Sequence, residues 1–285
     1  MGNLIKSNFE GIPIMETPSS FRVGFIEGRY EIDLFKAARD LARKKYNSAK
    51  PLMLGYGSFN HNDRALENAN PFYVVLVNEV LRSDSTQRLH TATQADIERI
   101  LRAGNPLGIG INFLVDTALV LRSAEDPYEP NDLIVKDLTE QIKKRFGNLI
   151  EFPIMIPLCY LELKLAPLKL ESDDAKSDRN YGLSFNLTKD AEIVHSPGLN
   201  HSGRYNSVDL KTGLPLEVGS EGSRMITAPP IRKQKGIFSL FLYRTPSERT
   251  LDLNASWSNL TFIRNSRVVV CGEAAYEKDL ESRAG

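Results

Sequence analysis

The run Glu162-Leu163-Lys164 is the first place where residue types and spacing could do chemistry. In an extended strand, Glu162 and Lys164 stand on one face, opposite Leu161, Leu163 and Leu165. A carboxylate there could help to hold a divalent cation while the lysine assists an attacking water, given a second carboxylate from elsewhere. Asp132, in Pro130-Asn131-Asp132, could supply it, or Asp116 could. A solvated strand face is the plainer reading and the preferred one, because so short a pattern is common and Asp132 also suits a helix start. A second candidate is the basic run Pro229-Pro230-Ile231-Arg232-Lys233-Gln234-Lys235, with Arg204, Tyr205 and Arg224 in the same segment. These residues could neutralise phosphates and stack on a base, or pair with acidic groups of another subunit. Glu217 and Glu221 dilute that charge. His61, His90, His195 and His201 are scattered, without carboxylates or thiols at metal-ligand spacing, so no metal site is expected from them.

The Glu-x-Lys spacing resembles the second half of the Asp…Glu-x-Lys pattern of PD-(D/E)xK nucleases. That resemblance implies a Mg²⁺-dependent nuclease with Asp132, Glu162 and Lys164 as its site. Gly55-Tyr56-Gly57-Ser58 resembles the Gly-Ser turn of nucleotidyltransferases, but the next apolar run leads to Asn78-Glu79 where that family has paired carboxylates, so a strand-ending turn is expected. Gly108-Ile109-Gly110 begins like a dinucleotide fingerprint, yet Phe113 occupies the third glycine position. Ser-x-x-Lys, Gly-x-Ser-x-Gly and cysteine-centred nucleophile patterns do not occur. No cofactor is expected, Mg²⁺ entering only with the nuclease reading.

Several elements must position these residues. Apolar residues at 34, 35, 38, 41 and 42 predict a helix from about Tyr30 to Tyr46, with acidic residues in its first turn and Arg43, Lys44 and Lys45 in its last, as the helix dipole favours. A second helix is predicted after Thr91 or Thr93, stopping at Gly104-Asn105-Pro106. A third follows Asn131-Asp132 and ends at Gly147. Phe21–Ile26, Pro51–Tyr56, Phe72–Val77 and Ile109–Leu121 read as strands, although Phe72–Arg82 is apolar enough to be a buried helix instead. After Gly147 alternating runs dominate: Cys159–Leu165, Ile237–Tyr243, Leu251–Trp257, Leu260–Ile263 and Val268–Cys271.

The pattern is α+β: a mixed helix and strand region over 1–147, then a mainly antiparallel β region over 148–285, a sandwich or meander. The second region contains a long irregular loop, 195–236, and a polar tail, 272–285. The loop is rich in Gly and Pro and is expected to stay mobile in the isolated chain and to order on a partner. With 36 basic and 36 acidic residues the net charge is zero, so no global field draws nucleic acid or an anionic membrane. Copies of the chain likewise lack net repulsion. Cys159 and Cys271 lie in apolar runs and read as small buried hydrophobes. Neither a signal peptide nor a membrane span is evident, which predicts an intracellular, cytoplasmic protein. These features favour a non-enzymatic binding or self-assembly protein, a structural subunit of a viral, phage or nucleoprotein-like particle. Its loop would contact another copy, another subunit or nucleic acid.

Overall fold

The computed structural model describes residues 15–16, 22–25, 29–46, 58–60, 65–67, 69–83, 89–105, 108–109, 114–122, 131–148, 150–166, 182–227, 236–244, 251–257, 260 and 266–272. Pro51–Tyr56, His61, most of Leu260–Ile263 and the tail beyond 272 lie outside them. So do Arg232, Lys233 and Lys235.

The fold is α+β. Its central element is a sheet of seven strands, built from β6 (Val115–Leu121), β7 (Ile154–Pro157), β10 (Val194–His195), β11 (Gly203–Tyr205), β12 (Ser223–Thr227), β13 (Ile237–Arg244) and β14 (Leu251–Trp257). They lie in the order β10-β7-β6-β13-β14-β12-β11, antiparallel except for β12 beside β14. A four-stranded antiparallel sheet has the order β1-β2-β15-β5, from β1 (Met15–Glu16), β2 (Arg22–Phe25), β15 (Val269–Gly272) and β5 (Leu89–Thr91). Two further antiparallel pairs are β3 (Ser58–Asn60) with β4 (Ala65–Glu67) and β8 (Leu161–Leu165) with β9 (Leu183–Leu187). Both larger sheets draw strands from either side of residue 147: β6 lies between β7 and β13, and β15 between β2 and β5.

Four α-helices occur among the described residues: α1 (Arg29–Lys45), α2 (Pro71–Ser83), α3 (Gln94–Arg102) and α4 (Asp132–Phe146). Three match their sequence prediction closely. The helix α2 corrects the strand reading of Phe72–Val77. Asn70 Oδ1 accepts the Tyr73 backbone N–H at 2.9 Å, and Pro71 follows in the first helical position. An Asn cap and a Pro at N1 together start a helix. Ten of its thirteen residues are buried, so no polar face marks the helical period. Its polar members act as ties. Asn78 donates to the Cys159 carbonyl at 2.8 Å and accepts from Thr91 N, while Glu79 accepts from Lys45 Nζ, the Tyr46 hydroxyl and Leu163 N.

The seven-stranded sheet is covered on both faces. Leu119, Leu121, Ile154 and Ile156 join a core with α1, α2, α4 and the β8–β9 pair. The alternate residues Ala118, Val120 and Met155, with Leu240, Leu242, Leu253 and Ala255, face a second core. All seven residues of β6 are accordingly buried. No helix among the described residues is long and apolar enough to cross a membrane.

What closes the second core is α3 together with much of the segment predicted to be a mobile loop. Leu199, Tyr205, Val208, Leu214 and Met225 are buried there against the sheet. The segment is irregular, as expected, but it is packed, which corrects the expectation of mobility for 195–227. Each large apolar side chain removed from water contributes about 1.5–3 kcal/mol, and spacing by Gly and Pro hides the pattern without reducing that term.

Candidate functional site

The residues proposed for a nuclease site fall into three places. Glu162 and Lys164 do share one face of β8, as the strand period requires, but different helices engage them. Arg82 Nη2 of α2 lies 3.7 Å from Glu162 Oε1, and Asp137 of α4 lies 3.0 Å from Lys164 Nζ. Asp132 opens α4 and its Oδ1 accepts the Leu133 N–H at 2.7 Å. Five residues of helix, about 7.5 Å of rise, separate it from Asp137. Asp116 is buried under β13, where it accepts from Ser239 Oγ at 2.7 Å and from Ser266 Oγ at 3.0 Å. Among the described residues no three His, Cys, Asp or Glu side chains gather where a metal ion could be held.

Arg204, Tyr205 and Arg224 come together on β11 and β12, with Arg204 directly opposite Arg224 in the register. The two arginines, on one face and partly exposed, bond structural partners, and Tyr205 points to the other face. Arg224 Nε donates to Asp252 Oδ2 at 3.1 Å, and Asp252 is fully buried, so the pair ties β12 to β14. Arg204 Nη1 donates to the Gly222 carbonyl at 2.9 Å. Tyr205 is buried, and burial, reinforced by the charges of Glu98 and Asp252, holds its phenol far above the usual range.

Tyr205 also lines a cleft of 690 Å³ between α3 and the segment, a site that sequence reading missed. Glu98, Leu101 and Arg102 of α3 form one wall, and Val208, Ser223 and Leu251 contribute to the rest. The placement of Glu98 follows from how α3 begins. Thr93 Oγ1 accepts the Asp96 N–H at 3.2 Å and Asp96 Oδ2 accepts the Thr93 N–H at 2.9 Å, a reciprocal capping box. Asp96 is buried and also meets His90 Nε2 at 3.1 Å. Burial by itself would raise the Asp96 carboxyl, but the hydrogen bond and charge of His90, with the Thr93 donors, leave it below its ordinary value. One turn on, Thr117 Oγ1 donates to Gln94 Oε1 at 3.0 Å, which turns Gln94 Nε2 toward Glu98 Oε1 at 3.4 Å. That long contact is the sole hydrogen bond to the Glu98 carboxyl among the described residues. Burial therefore dominates and pushes its pKa up to about 7, opposed by Arg102 and Gln94. A carboxyl inside an otherwise ordinary helix pattern gives no sequence signal of this kind, because the residues that cover it, Tyr205 and Leu251, come from distant strands.

The segment also forms a knob over 207–216. Its base is closed by a bridge between Val208 and Pro215 and by the Leu216 N–H donating to the Ser207 carbonyl at 3.1 Å. Asp209 organises the tip, accepting from Lys211 N at 3.0 Å and Thr212 Oγ1 at 2.9 Å; these two donors hold its carboxyl below the usual range. Gly213 has φ of +73°, and a Cβ there would lie 2.4 Å from the backbone carbon of Gln94. The knob thus rests directly on the start of α3. It leaves Leu210 46% and Leu216 62% exposed.

Comparison with protein-family models, with curated proteins and with solved structures gives no match to this chain.

Proposed function

We propose that the chain is a non-enzymatic assembly subunit, of the kind that builds a viral, phage or nucleoprotein-like particle, and that it meets a second copy of itself through the knob over 207–216. The observation that carries this reading is the exposure of Leu210 and Leu216 on a backbone locked by its own turn and seated on α3. Two large aliphatic side chains held rigidly in water lose little further entropy when covered, and covering them is favourable. A second copy is the occupant because the surface complements itself. Lys211 and Glu217, both exposed, flank the leucines with opposite charges, which a two-fold arrangement can pair across copies. The balance of 36 basic and 36 acidic residues removes net repulsion between copies.

Sedimentation velocity at rising concentration tests the reading. The wild-type chain should self-associate, and the double variant Leu210→Ser, Leu216→Ser should remain monomeric with folding stability within about 0.5 kcal/mol, as exposed positions allow. A wild-type chain still monomeric at about 100 μM would sink it. The nuclease reading on Asp132, Glu162 and Lys164 receives no comparable support, since separate helices engage Glu162 and Lys164.

A further inference from the structure

The cleft beneath Tyr205 is independent of the knob's exposed leucines and carries a different kind of inference. Its walls are about half apolar, from Leu101, Val208 and Leu251, and half polar, from Arg102, Tyr205, Asn206 and Ser223, and its carboxyl, Glu98, is 93% removed from solvent. A buried carboxylate can accept about four hydrogen bonds, yet among the described residues one donor reaches it, at the limit of hydrogen-bond length. That donor, Gln94 Nε2, occupies Oε1 and leaves Oε2 for a ligand. An ammonium is a point charge that one carboxylate oxygen satisfies. We propose that this cleft binds a primary alkylammonium group, with its charge on Glu98 and its chain between Leu101, Val208 and Leu251.

Of the other charged groups around Glu98, Arg102 is the one that competes with a bound cation. Arg102, on the same helix, is exposed at the rim, where water screens it. Across the cleft, Tyr205 on β11 keeps its proton, and the Asp252 charge behind it is paired with Arg224 of β12. The volume of 690 Å³ admits a free amine or the lysine side chain of a peptide. Either source presents the same chemistry.

The test is calorimetric titration of the whole chain, held below the concentration at which it self-associates so that failure here and failure of the assembly reading stay separate. The probes are n-butylammonium and N-acetyl-lysine methylamide, with n-butanol and butyrate as controls. An alkylammonium stays charged from pH 5.5 to 8 while Glu98, raised to about 7, ionises between them, so affinity should rise about tenfold or more over that range. Glu98→Gln should weaken binding about tenfold at pH 8 and abolish the pH dependence. If that variant does not fold, the preference of the wild-type chain for butylammonium over butanol at pH 8 decides the matter. Tighter binding of the lysine derivative identifies a peptide source and tighter binding of butylammonium a free amine. Equal binding of butanol, preference for butyrate, pH-independent affinity, or no binding of either amine at about 10 mM would each overturn the proposal.

Discussion

Glu98 shows how burial sets both chemistry and stability at a single residue. Its carboxyl is raised from an ordinary 4.5 to about 7 in the folded chain, first by loss of water and only weakly opposed by Arg102 and Gln94. A group whose pKa rises on folding contributes its full stability below the unfolded value. That contribution is lost as pH climbs from 4.5 through about 7. Glu98→Gln cannot ionise, so it should be on the order of 2–3 kcal/mol more stable than the wild-type chain at pH 8.5 and nearly equal to it at pH 4.5. Urea unfolding at the two pH values measures this, and equal differences at both would show that Glu98 is not held neutral by burial. Neighbouring Asp96 works in the opposite sense. Its pKa is depressed, so the stability it contributes is present above the unfolded carboxylate range and lost as pH falls through its folded value. The two cysteines take no part in such chemistry: both are buried, and burial raises the Cys159 thiol to about 12.

At the scale of elements, the decisive piece is the segment over 197–227. It supplies β11, β12 and a lid of apolar side chains that α3 alone could not provide. Where a glycine makes this possible, the structure states the reason. Gly222 has φ of +97°, and a Cβ there would lie 2.2 Å from the Tyr205 carbonyl oxygen, so only glycine lets the chain turn into β12 beside β11. The free monomer should therefore resist proteolysis across 203–227, with cleavage confined to other segments. Limited trypsin digestion followed by mass spectrometry checks this. Early cuts at Arg204 or Arg224, both engaged by internal partners, would show that the lid opens readily.

For the molecule as a whole, strand pairing across the middle of the chain sets the unit of folding. Val115–Leu121 is held between Ile154–Pro157 and Ile237–Arg244, and Val269–Gly272 joins strands from 22–25 and 89–91. Separating 1–147 from 148–285 removes the middle or the neighbour of both large sheets. Each fragment made alone should lack a cooperative unfolding transition, since unpaired strand edges and half of each core would face water. Circular dichroism melts of the two fragments, alone and mixed, provide the test. A cooperative melt of either fragment by itself would show that its half folds independently.

The sequence by itself determined the elements whose signals are local. The start of α3 after Thr91 or Thr93, the dipole-matched ends of α1, the Asn131 and Gly147 limits of α4 and the period of Leu161–Leu165 all depend on neighbours within a few residues, and all were legible. The α+β class follows from them. Even α2 carried a local signal in Asn70-Pro71, which its unbroken apolar run obscured. Only the tertiary structure decided which strands pair across residue 147, that the segment over 197–227 is lid rather than free arm, and that Glu98 stands in a cleft. Each of these depends on contacts between residues far apart in sequence: Thr117 orienting Gln94, Tyr205 brought over α3, Asp252 buried behind Arg224. A carboxyl on an amphipathic helix looks alike in sequence whether water or a distant strand covers it, and that covering is what sets its charge.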